Sequence, residues 1–295
     1  MDRSPASGTF ATVPPSYATV RSGGRCAYVR EDAAATVQAV GFLEGTPRVD
    51  STGTVGGGRS LHSIYALPIS SDESNPSPNS RPTSVVWKKC RRGGIAAPVL
   101  GDRYFSVGRF FRELAAHETA RQAGVPVSDL LAIAITRGRG GAHRVEQLIG
   151  FEEGTRDAAS HLADASLTAA RRRALVSAVA HTVRRFHDAG LCHGDLNLRN
   201  ILVREIPTPE AILIDLDPAP PTRLDGHSAS GNLLRLFRSW TRLARQRPLP
   251  LPVTDRWRFL TDYFGDPPAQ REFWREAERA ARRGRWLFPR SGGSP

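Results

Sequence analysis

The chain has 295 residues, 40% apolar and 24% charged, with a formal net charge of +12, a composition that excludes intrinsic disorder, a collagen repeat and a disulfide scaffold. Its length suffices for one large or two small domains. No run approaches the roughly 18 apolar residues of a membrane-spanning helix, and the N-terminus lacks a signal-peptide pattern. The three cysteines are far apart, which suits a reducing compartment, so we expect a cytoplasmic protein.

The first third of the chain has a sequence pattern typical of a β-sheet. Residues 1–16 are rich in Pro, Ser, Thr and Ala and predict a disordered tail. From Tyr17 to Leu67, short apolar runs alternate with glycine-rich breaks, which is typical of strands. Residues 70–84 are polar with three prolines, which predicts a flexible insert, and Ser84–Cys90 then predicts a short strand.

The remainder alternates helices with one more set of strands. Arg109–Ala123 predicts a helix that ends at Gly124, and Leu167–Ala189, the clearest helix, ends at Gly190. The apolar positions of that second helix recur at three- and four-residue steps. Predicted strands are 127–136 and 142–149, which form a hairpin, and later 201–203 and 211–214; from Asn232 onward the pattern is helical.

This order of elements predicts an α+β fold with two lobes. We expect residues 17–150 to form a β-rich N-lobe with one helix and residues 151–295 to form a mainly helical C-lobe.

One loop carries the chemistry of phosphoryl transfer. His193–Asn200 reads H-x-D-L-x-x-x-N and differs from the protein-kinase catalytic loop by Gly194 in place of arginine. Phosphoryl transfer needs a carboxylate that accepts the acceptor's proton and an oxygen ligand for a metal ion. Asp195 is the predicted base and Asn200 the predicted metal ligand.

A second carboxylate follows the next predicted strand. Asp215 ends the apolar run 211–214, and a hairpin would return it beside Asn200, where a magnesium ligand belongs. Asp215-Leu216-Asp217 lacks the glycine of D-F-G, which argues against a flipping activation segment. Asp217 is either a further metal ligand or a solvated or helix-capping carboxylate.

Lysine is rare here, since only Lys88 and Lys89 occur among 41 basic residues. The sequence has no phosphate-binding P-loop, no G-x-S-x-G elbow and no H-E-x-x-H zinc helix. Alternation places Val86, Lys88 and Cys90 on one face of their strand. In the V-x-K pattern of kinases, the lysine meets the nucleotide phosphates and the small residue lines the adenine pocket. Lys88 is therefore a predicted catalytic and nucleotide-binding residue, and Val86 is predicted to line the adenine pocket.

Other residues complete the predicted nucleotide site. Glu113 on the following helix is the expected partner of Lys88, with Glu118 as the alternative. A glycine-rich segment that includes Gly56, Gly57 and Gly58 is expected to cover the phosphates with backbone N–H groups. Glu146, on the segment predicted to join the lobes, is expected near the adenine edge. The lysine, the glutamate, the base, the asparagine and the second aspartate follow one another in kinase order, with a β-rich lobe before a helical one, and together they predict an α+β, bilobal protein-kinase-like fold.

The sequence resembles the kinases of the lipopolysaccharide core, which phosphorylate Kdo or heptose, and within them the Kdo kinases. Besides the catalytic loop, the segments that carry the resemblance are Arg91–Gly94, Asp102–Phe105, Arg112-Glu113, Gly124–Val127, Asn232–Leu236 and Arg238-Ser239. The resemblance covers roughly Tyr17 to Tyr263.

The resemblance implies transfer of the γ-phosphoryl group of ATP, with Mg2+, to a hydroxyl of Kdo on a lipid A precursor. It places the protein at the cytoplasmic face of the inner membrane. A basic protein suits a phosphorylated glycolipid and an anionic leaflet. We expect no nucleic-acid ligand, because no nucleic-acid-binding module accompanies the arginines, and no obligate protein partner.

Three alternatives remain open. The first is another small-molecule phosphotransferase of the heptose or aminoglycoside type, although a polycationic acceptor suits an acidic cleft better than this basic chain. The second is a non-catalytic kinase-like module, which would typically lack one of the five residues Lys88, Glu113, Asp195, Asn200 and Asp215. The third is a protein kinase, whose loop lysine and A-P-E element are absent.

Overall fold

The computed structural model describes residues 13–55, 62–67, 83–91, 101–205, 208–216, 229–246 and 253–282. Most of the predicted tail and of the predicted insert at 70–84 lies outside these ranges. The chain forms two compact units: the first comprises residues 1–118 and 128–152, and the second residues 119–127 and 153–295. In the described ranges, no helix is both long and apolar enough to cross a membrane.

The first unit is built on an antiparallel sheet. In the described residues its strands are β1 (Tyr17–Ser22), β2 (Arg25–Arg30), β3 (Ser51–Val55), β4 (His62–Ala66), β5 (Ser84–Lys89), β6 (Leu130–Arg137) and β7 (His143–Gly150). They lie in the order β1-β2-β6-β7-β5-β4-β3. The predicted hairpin is β6 and β7, and the predicted strand with the two lysines is β5.

The two faces of this sheet are covered by different helices. A short helix, α1 (Ala34–Ala39), and the segment after it bury Val37 and Phe42 against the face that carries Trp87 and Leu148. The sequence pattern did not predict α1, because the alternation of short apolar runs with glycine-rich breaks over Tyr17–Leu67 predicts strands throughout. Alanine nevertheless has the highest intrinsic helix propensity, and burial of Val37 and Phe42 supplies the packing.

The opposite face of the sheet packs against the predicted helix, α2 (Gly108–Gln122). Phe110 and Leu114 lie there with Ile133 and Val145. Since β6 is covered on both faces, its sequence is almost continuously apolar instead of alternating.

The end of α2 belongs to the second unit, which the predicted division between residues 150 and 151 does not anticipate. Gly124 has φ +63°, the left-handed conformation that ends helices, and the N–H of Val125 bonds to the carbonyl of Ala120. Ala120 and Val125 then join the core of the second unit, and Val127 forms a β-bridge with Leu213.

In its described part, the second unit combines a small sheet with five helices. The strands are β8 (Thr155–Asp157), β9 (Ile201–Arg204) and β10 (Glu210–Leu213), in the order β10-β9-β8. The helices are α3 (Ala158–Leu162), α4 (Ala169–Asp188), α5 (Ala229–Gln246), α6 (Val253–Phe264) and α7 (Pro267–Arg282).

Helix α4 is the centre of this unit's core. Its predicted apolar face, Leu175, Val176, Val179, Val183 and Phe186, is buried. The facing aromatic rings come from α5, α6 and α7, and include Phe237, Phe259 and Phe273. The helix ends, as predicted, at Gly190, whose φ is +75°.

Candidate active site

Lys88 lies on the face of β5 that was predicted for it. Val85 and Trp87 pack among the apolar side chains on the sheet face that α1 covers. Cys90 packs among those on the face that α2 covers. Lys88 is half-buried between them and pairs directly with Gln147 of β7. Because side chains alternate along a strand, Lys88 shares the α2 face of the sheet.

Two acidic residues of α2, Glu113 and Glu118, are buried. Buried carboxylates in proteins are nearly always paired with a cation or hydrogen-bonded. Glu113 lies between Phe110 and Leu114, which pack against the sheet face that carries Lys88. Glu118 instead immediately precedes the part of α2 that belongs to the second unit. This position favours Glu113 as the acidic partner of Lys88.

The prediction for Glu146 is wrong in its placement. Glu146 lies inside β7, on the sheet face opposite Lys88, and not on the segment that joins the two units. Its carboxylate forms an ion pair with Arg25 and accepts a hydrogen bond of 3.1 Å from Trp87 Nε1. Arg25 also donates to the carbonyl of Phe42. These contacts make Glu146 a structural residue that fixes β2, β5 and the segment after α1 together.

Removal of the Glu146 carboxylate is expected to destabilise the protein strongly. The side chains of Arg25 and Glu146 are only 9% and 15% exposed, so Glu146→Ala leaves a buried guanidinium without its counter-charge. Loss of one partner of a buried pair costs about 3–5 kcal/mol. Calorimetric unfolding should show a clear fall in Tm. The matched change Glu44→Ala, in an exposed pair with Arg48, should cost no more than about 1 kcal/mol; equal effects would contradict this account.

In the second unit, His193 ties the loop to the strand that precedes Asp215. The N–H of Asp195 donates to His193 Nδ1 over 3.0 Å, so the proton is on Nε2, which donates to the carbonyl of Ile214 over 3.0 Å. The ring is buried. His193 is therefore a positioning residue that links the two halves of the predicted site.

The predicted base, Asp195, is exposed and held by two asparagines. Asn197 Nδ2 donates to the carboxylate of Asp195 over 3.2 Å and to its carbonyl oxygen over 2.9 Å. Asn200 Nδ2 donates to the same carbonyl over 2.9 Å. Leu196 and Leu198 are fully buried on either side, so the loop is anchored while the carboxylate faces solvent.

Asp215 lies beside Asn200, as the hairpin prediction requires. β10 pairs with β9 so that Leu213 faces Ile201, and the N–H of Ile214 then donates to the carbonyl of Asn200 over 3.1 Å. Asp215 has φ +53° and is the one non-glycine residue with positive φ in the described chain. Aspartate tolerates this conformation better than most residues, and such backbone outliers cluster at functional sites.

The side chains of Asn200 and Asp215 fit a divalent cation. Because Asn200 donates through Nδ2 to the loop, its Oδ1 is left as the ligand atom. Asp215 is exposed and follows Ile214, whose N–H bonds to the carbonyl of Asn200. The described residues contain no group of three or more His, Cys, Asp or Glu side chains that could hold a metal. Mg2+ does not require one, since it is usually held by one or two protein oxygens, substrate phosphates and water.

Some predicted residues lie outside the described ranges. Gly56, Gly57 and Gly58 fall between β3, which ends at Val55, and β4, which begins at His62. Asp217 directly follows the described segment that ends at Leu216.

The sequence analysis did not assign a role to three residues that hold the loop. Asn197 is one of them, and the others lie on α5. Asn232 Oδ1 accepts from the N–H of His193 over 2.7 Å, and Ser239 Oγ accepts from the N–H of Leu198 over 3.2 Å. The only sequence signal for the α5 pair was their place in the segments that carry the family resemblance.

Asn232 is itself fixed by a neutral histidine. His187 Nε2 lies 3.3 Å from Asn232 Oδ1, and His187 Nδ1 lies 2.6 Å from the hydroxyl of Tyr263. Burial lowers the pKa of His187 below its ordinary value of 6.5, so the ring is neutral at pH 7. The hydroxyl therefore donates to Nδ1 and Nε2 donates to Asn232.

Comparisons with known proteins show which family the chain is similar to. The lipopolysaccharide kinase (Kdo/WaaP) family model matches residues 77–263, a range that contains Lys88, Glu113, Asp195, Asn200 and Asp215. The 3-deoxy-D-manno-octulosonic acid kinase of Actinobacillus succinogenes is 30% identical over 177 residues, 58% of this chain and 72% of the relative. That of Photobacterium profundum is 32% identical over 182 residues, 60% of this chain and 72% of the relative.

A solved structure has the same fold. WaaP in complex with acyl carrier protein matches with a TM-score of 0.50 and 20% identity, over 78% of this chain and 87% of that one. This likeness confirms the predicted α+β, protein-kinase-like fold. Since the family model also spans well over half of the residues and the curated relatives are matched over most of their length, the chain belongs to the lipopolysaccharide kinase (Kdo/WaaP) family.

Proposed function

We propose that this kinase transfers the γ-phosphoryl group of ATP, with Mg2+ as the metal, to a hydroxyl of Kdo on a lipid A precursor. The observation that carries the proposal is the arrangement of Asp195, Asn200 and Asp215 on one hydrogen-bonded loop and hairpin. The choice of Kdo rests on the relatives named as Kdo kinases.

In the proposed reaction, Asp195 accepts the proton of the sugar hydroxyl as the oxygen attacks the γ-phosphorus. The bond between that phosphorus and the β–γ bridging oxygen breaks, and ADP leaves with the electron pair. Asn197 holds the Asp195 carboxylate through its amide, and the buried leucines on either side hold the loop. Such positioning keeps the acceptor oxygen in line with the phosphate.

Asn200 Oδ1 and the Asp215 carboxylate would hold the magnesium ion. When bound, the ion neutralises charge on the β- and γ-phosphate oxygens. His193 keeps the two ligands at a fixed separation, because its ring joins the loop to the residue before Asp215. We propose that Lys88, paired with Glu113, binds the phosphates of the nucleotide. In this proposal Val86 contacts the adenine, and the backbone of Gly56, Gly57 and Gly58 covers the phosphates.

Replacement of Lys88 is expected to damage nucleotide use far more than replacement of Lys89. Lys88 shares the α2 face of β5, whereas Lys89 is exposed and pairs across the sheet with Glu146 on the other face. Lys88→Ala should raise the KM for ATP about tenfold or more, because a charged hydrogen bond to phosphate is lost. Lys89→Ala, which removes the same charge from the adjacent residue, should leave the KM for ATP within about twofold. Similar effects in steady-state assays would refute this assignment of faces.

We propose that the enzyme works at the cytoplasmic face of the inner membrane, where a lipid-linked acceptor is accessible to a protein of net charge +12. The related WaaP structure contains acyl carrier protein. For this chain we propose activity with ATP and glycolipid alone, so addition of acyl carrier protein should not be required for turnover.

The proposal is tested by an acceptor panel. Purified protein with γ-labelled ATP and Mg2+ is offered a Kdo-bearing lipid A precursor, a heptose-bearing core oligosaccharide and an aminoglycoside. We expect label in the Kdo-bearing glycolipid. Label only in the heptose-bearing core or the aminoglycoside would favour the other small-molecule phosphotransferases, and no transfer to any acceptor would favour a non-catalytic module.

A further inference from the structure

Helix α5 carries a stripe of arginines and no acidic residue. Arg235, Arg238 and Arg242 recur at three- and four-residue steps along Ala229–Gln246 and therefore lie on one side of the helix. Arg238 and Arg242 are exposed and Arg235 is half-buried. Within α5, these arginines therefore have no acidic neighbour one turn away along the helix.

The same helix holds the loop of the proposed base. Ser239 Oγ accepts from the N–H of Leu198, and Asn232 Oδ1 accepts from the N–H of His193. Ser239 directly follows Arg238 and lies one turn beyond Arg235. In helical projection, successive residues are about 100° apart, so Arg235 is only about 40° from Ser239. The arginine stripe therefore borders the side of α5 that contacts the loop.

A fourth arginine lies in the loop that α5 contacts. Arg199 is exposed in the 3-10 turn Leu198–Asn200, and its N–H donates to Asn197 Oδ1, the residue that holds Asp195. Leu198 precedes Arg199, and Ser239 follows Arg238, so the 3.2 Å hydrogen bond between Leu198 and Ser239 brings the two arginines' segments together. We call Arg199, Arg235, Arg238 and Arg242 the α5 cationic cluster.

In the part of the chain that the structure describes, the arginines of this cluster differ from several other arginines of the second unit in their lack of ion pairs. Elsewhere in the second unit exposed arginines form ion pairs, such as Arg156 with Asp164 and Arg204 with Glu210. Within the described ranges, no Asp or Glu pairs with any arginine of the α5 cationic cluster. Like charges brought together repel one another, and the repulsion is relieved when an anion binds.

We propose that the α5 cationic cluster binds the phosphate or carboxylate groups of the acceptor next to the hydroxyl that is phosphorylated. The inference rests on the proposed function, since it gives the anionic part of the acceptor a place beside Asp195. Guanidinium groups suit this task because each presents two parallel N–H donors to a phosphate or carboxylate. The cluster would thus orient the sugar hydroxyl towards the proposed base and select acidic acceptors over cationic ones.

Anionic phospholipid headgroups present the same chemistry as the acceptor's own phosphates, and the test separates the two. Phosphoryl transfer to the Kdo-bearing lipid A precursor is measured in neutral detergent micelles, where no anionic phospholipid is present. Binding to phosphatidylglycerol vesicles is measured in parallel. Equilibrium binding of the precursor in the same micelles is measured by calorimetry, independently of turnover.

The variant is the double change Arg238→Gln and Arg242→Gln, at two exposed positions. We expect the KM and the dissociation constant for the glycolipid in micelles to rise about tenfold or more, as the loss of charge-assisted hydrogen bonds requires, with a much smaller change in KM for ATP. The matched control, Arg271→Gln with Arg275→Gln, removes the same charge from two exposed positions of α7 and should leave all values unchanged.

Each outcome of this test either supports or overturns the proposed anion site. Unchanged glycolipid KM and affinity in the Arg238/Arg242 variant would overturn the anion site, and loss of vesicle binding alone would assign the cluster to the membrane surface instead. Equal losses in the variant and the control would reduce the effect to net charge and also overturn the site. If the wild-type protein transfers no phosphate but binds the glycolipid in an Arg238/Arg242-dependent manner, the anion site stands and the proposed reaction fails.

Discussion

The Asp195→Asn enzyme is expected to lose kcat by about 10²- to 10⁴-fold, the usual contribution of a general base. The amide has the same shape but cannot accept the acceptor's proton in the transition state. Since Asn197 and Asn200 bond to the carbonyl of Asp195, the backbone of the loop should keep its conformation. Nucleotide affinity and Tm should therefore stay close to the wild-type values.

The control for this prediction is Asp188→Asn. Asp188 is exposed at the end of α4, outside the catalytic loop, and forms a solvent-screened pair with Arg184. Its replacement makes the same chemical change in the same unit and should leave kcat unaltered. An Asp195→Asn enzyme with full turnover, or one whose Tm falls as much as its activity, would contradict the role of Asp195 as base.

The second large effect is expected at Asp215. Asp215→Asn removes the negative ligand of the metal but keeps a residue that tolerates φ +53°. Affinity for ATP in the presence of Mg2+ should fall about 10- to 100-fold, because a charge-assisted contact is lost, while affinity without the metal stays the same. Calorimetric titrations with Mg2+ and with a chelator measure both quantities.

A second substitution at the same position separates metal binding from backbone strain. Asp215→Val should lose the metal-dependent affinity and also lower Tm, because a β-branched residue is strained at positive φ. Asp215→Asn should keep its Tm. Equal nucleotide affinity of wild-type and Asp215→Asn proteins with Mg2+ would show that Asp215 does not hold the metal.

The parts of the fold that follow from local rules were predictable. Helices α2 and α4 end where glycine can adopt positive φ, and β9 and β10 are short apolar runs separated by a segment whose sequence contains two prolines. The spacing from Asp195 to Asn200 is also local, because the loop ends in the 3-10 turn Leu198–Asn200 and the Asn200 side chain bonds back to the carbonyl of Asp195. A hairpin then fixes the place of Asp215 from sequence distance alone.

The remaining features depend on contacts between residues far apart in the chain. Glu146 reads as an isolated carboxylate, and nothing near it in sequence reveals that Arg25 of β2 would bind it. Likewise Asn232 and Ser239 meet the loop only because α5 packs beneath it. The face on which a strand residue lies is predictable from alternation, as for Lys88, but the partner on that face is a product of tertiary packing.

The most direct test of the central claim is mass spectrometry of the reaction product. The purified protein is incubated with ATP, Mg2+ and a Kdo-bearing lipid A precursor, and the glycolipid is fragmented to locate any new phosphate. The account predicts a gain of one phosphate on the Kdo fragment, absent with Asp195→Asn and unaffected by Asp188→Asn. A glycolipid unchanged in mass while ATP binds, or a phosphate found on the lipid A portion, would contradict it.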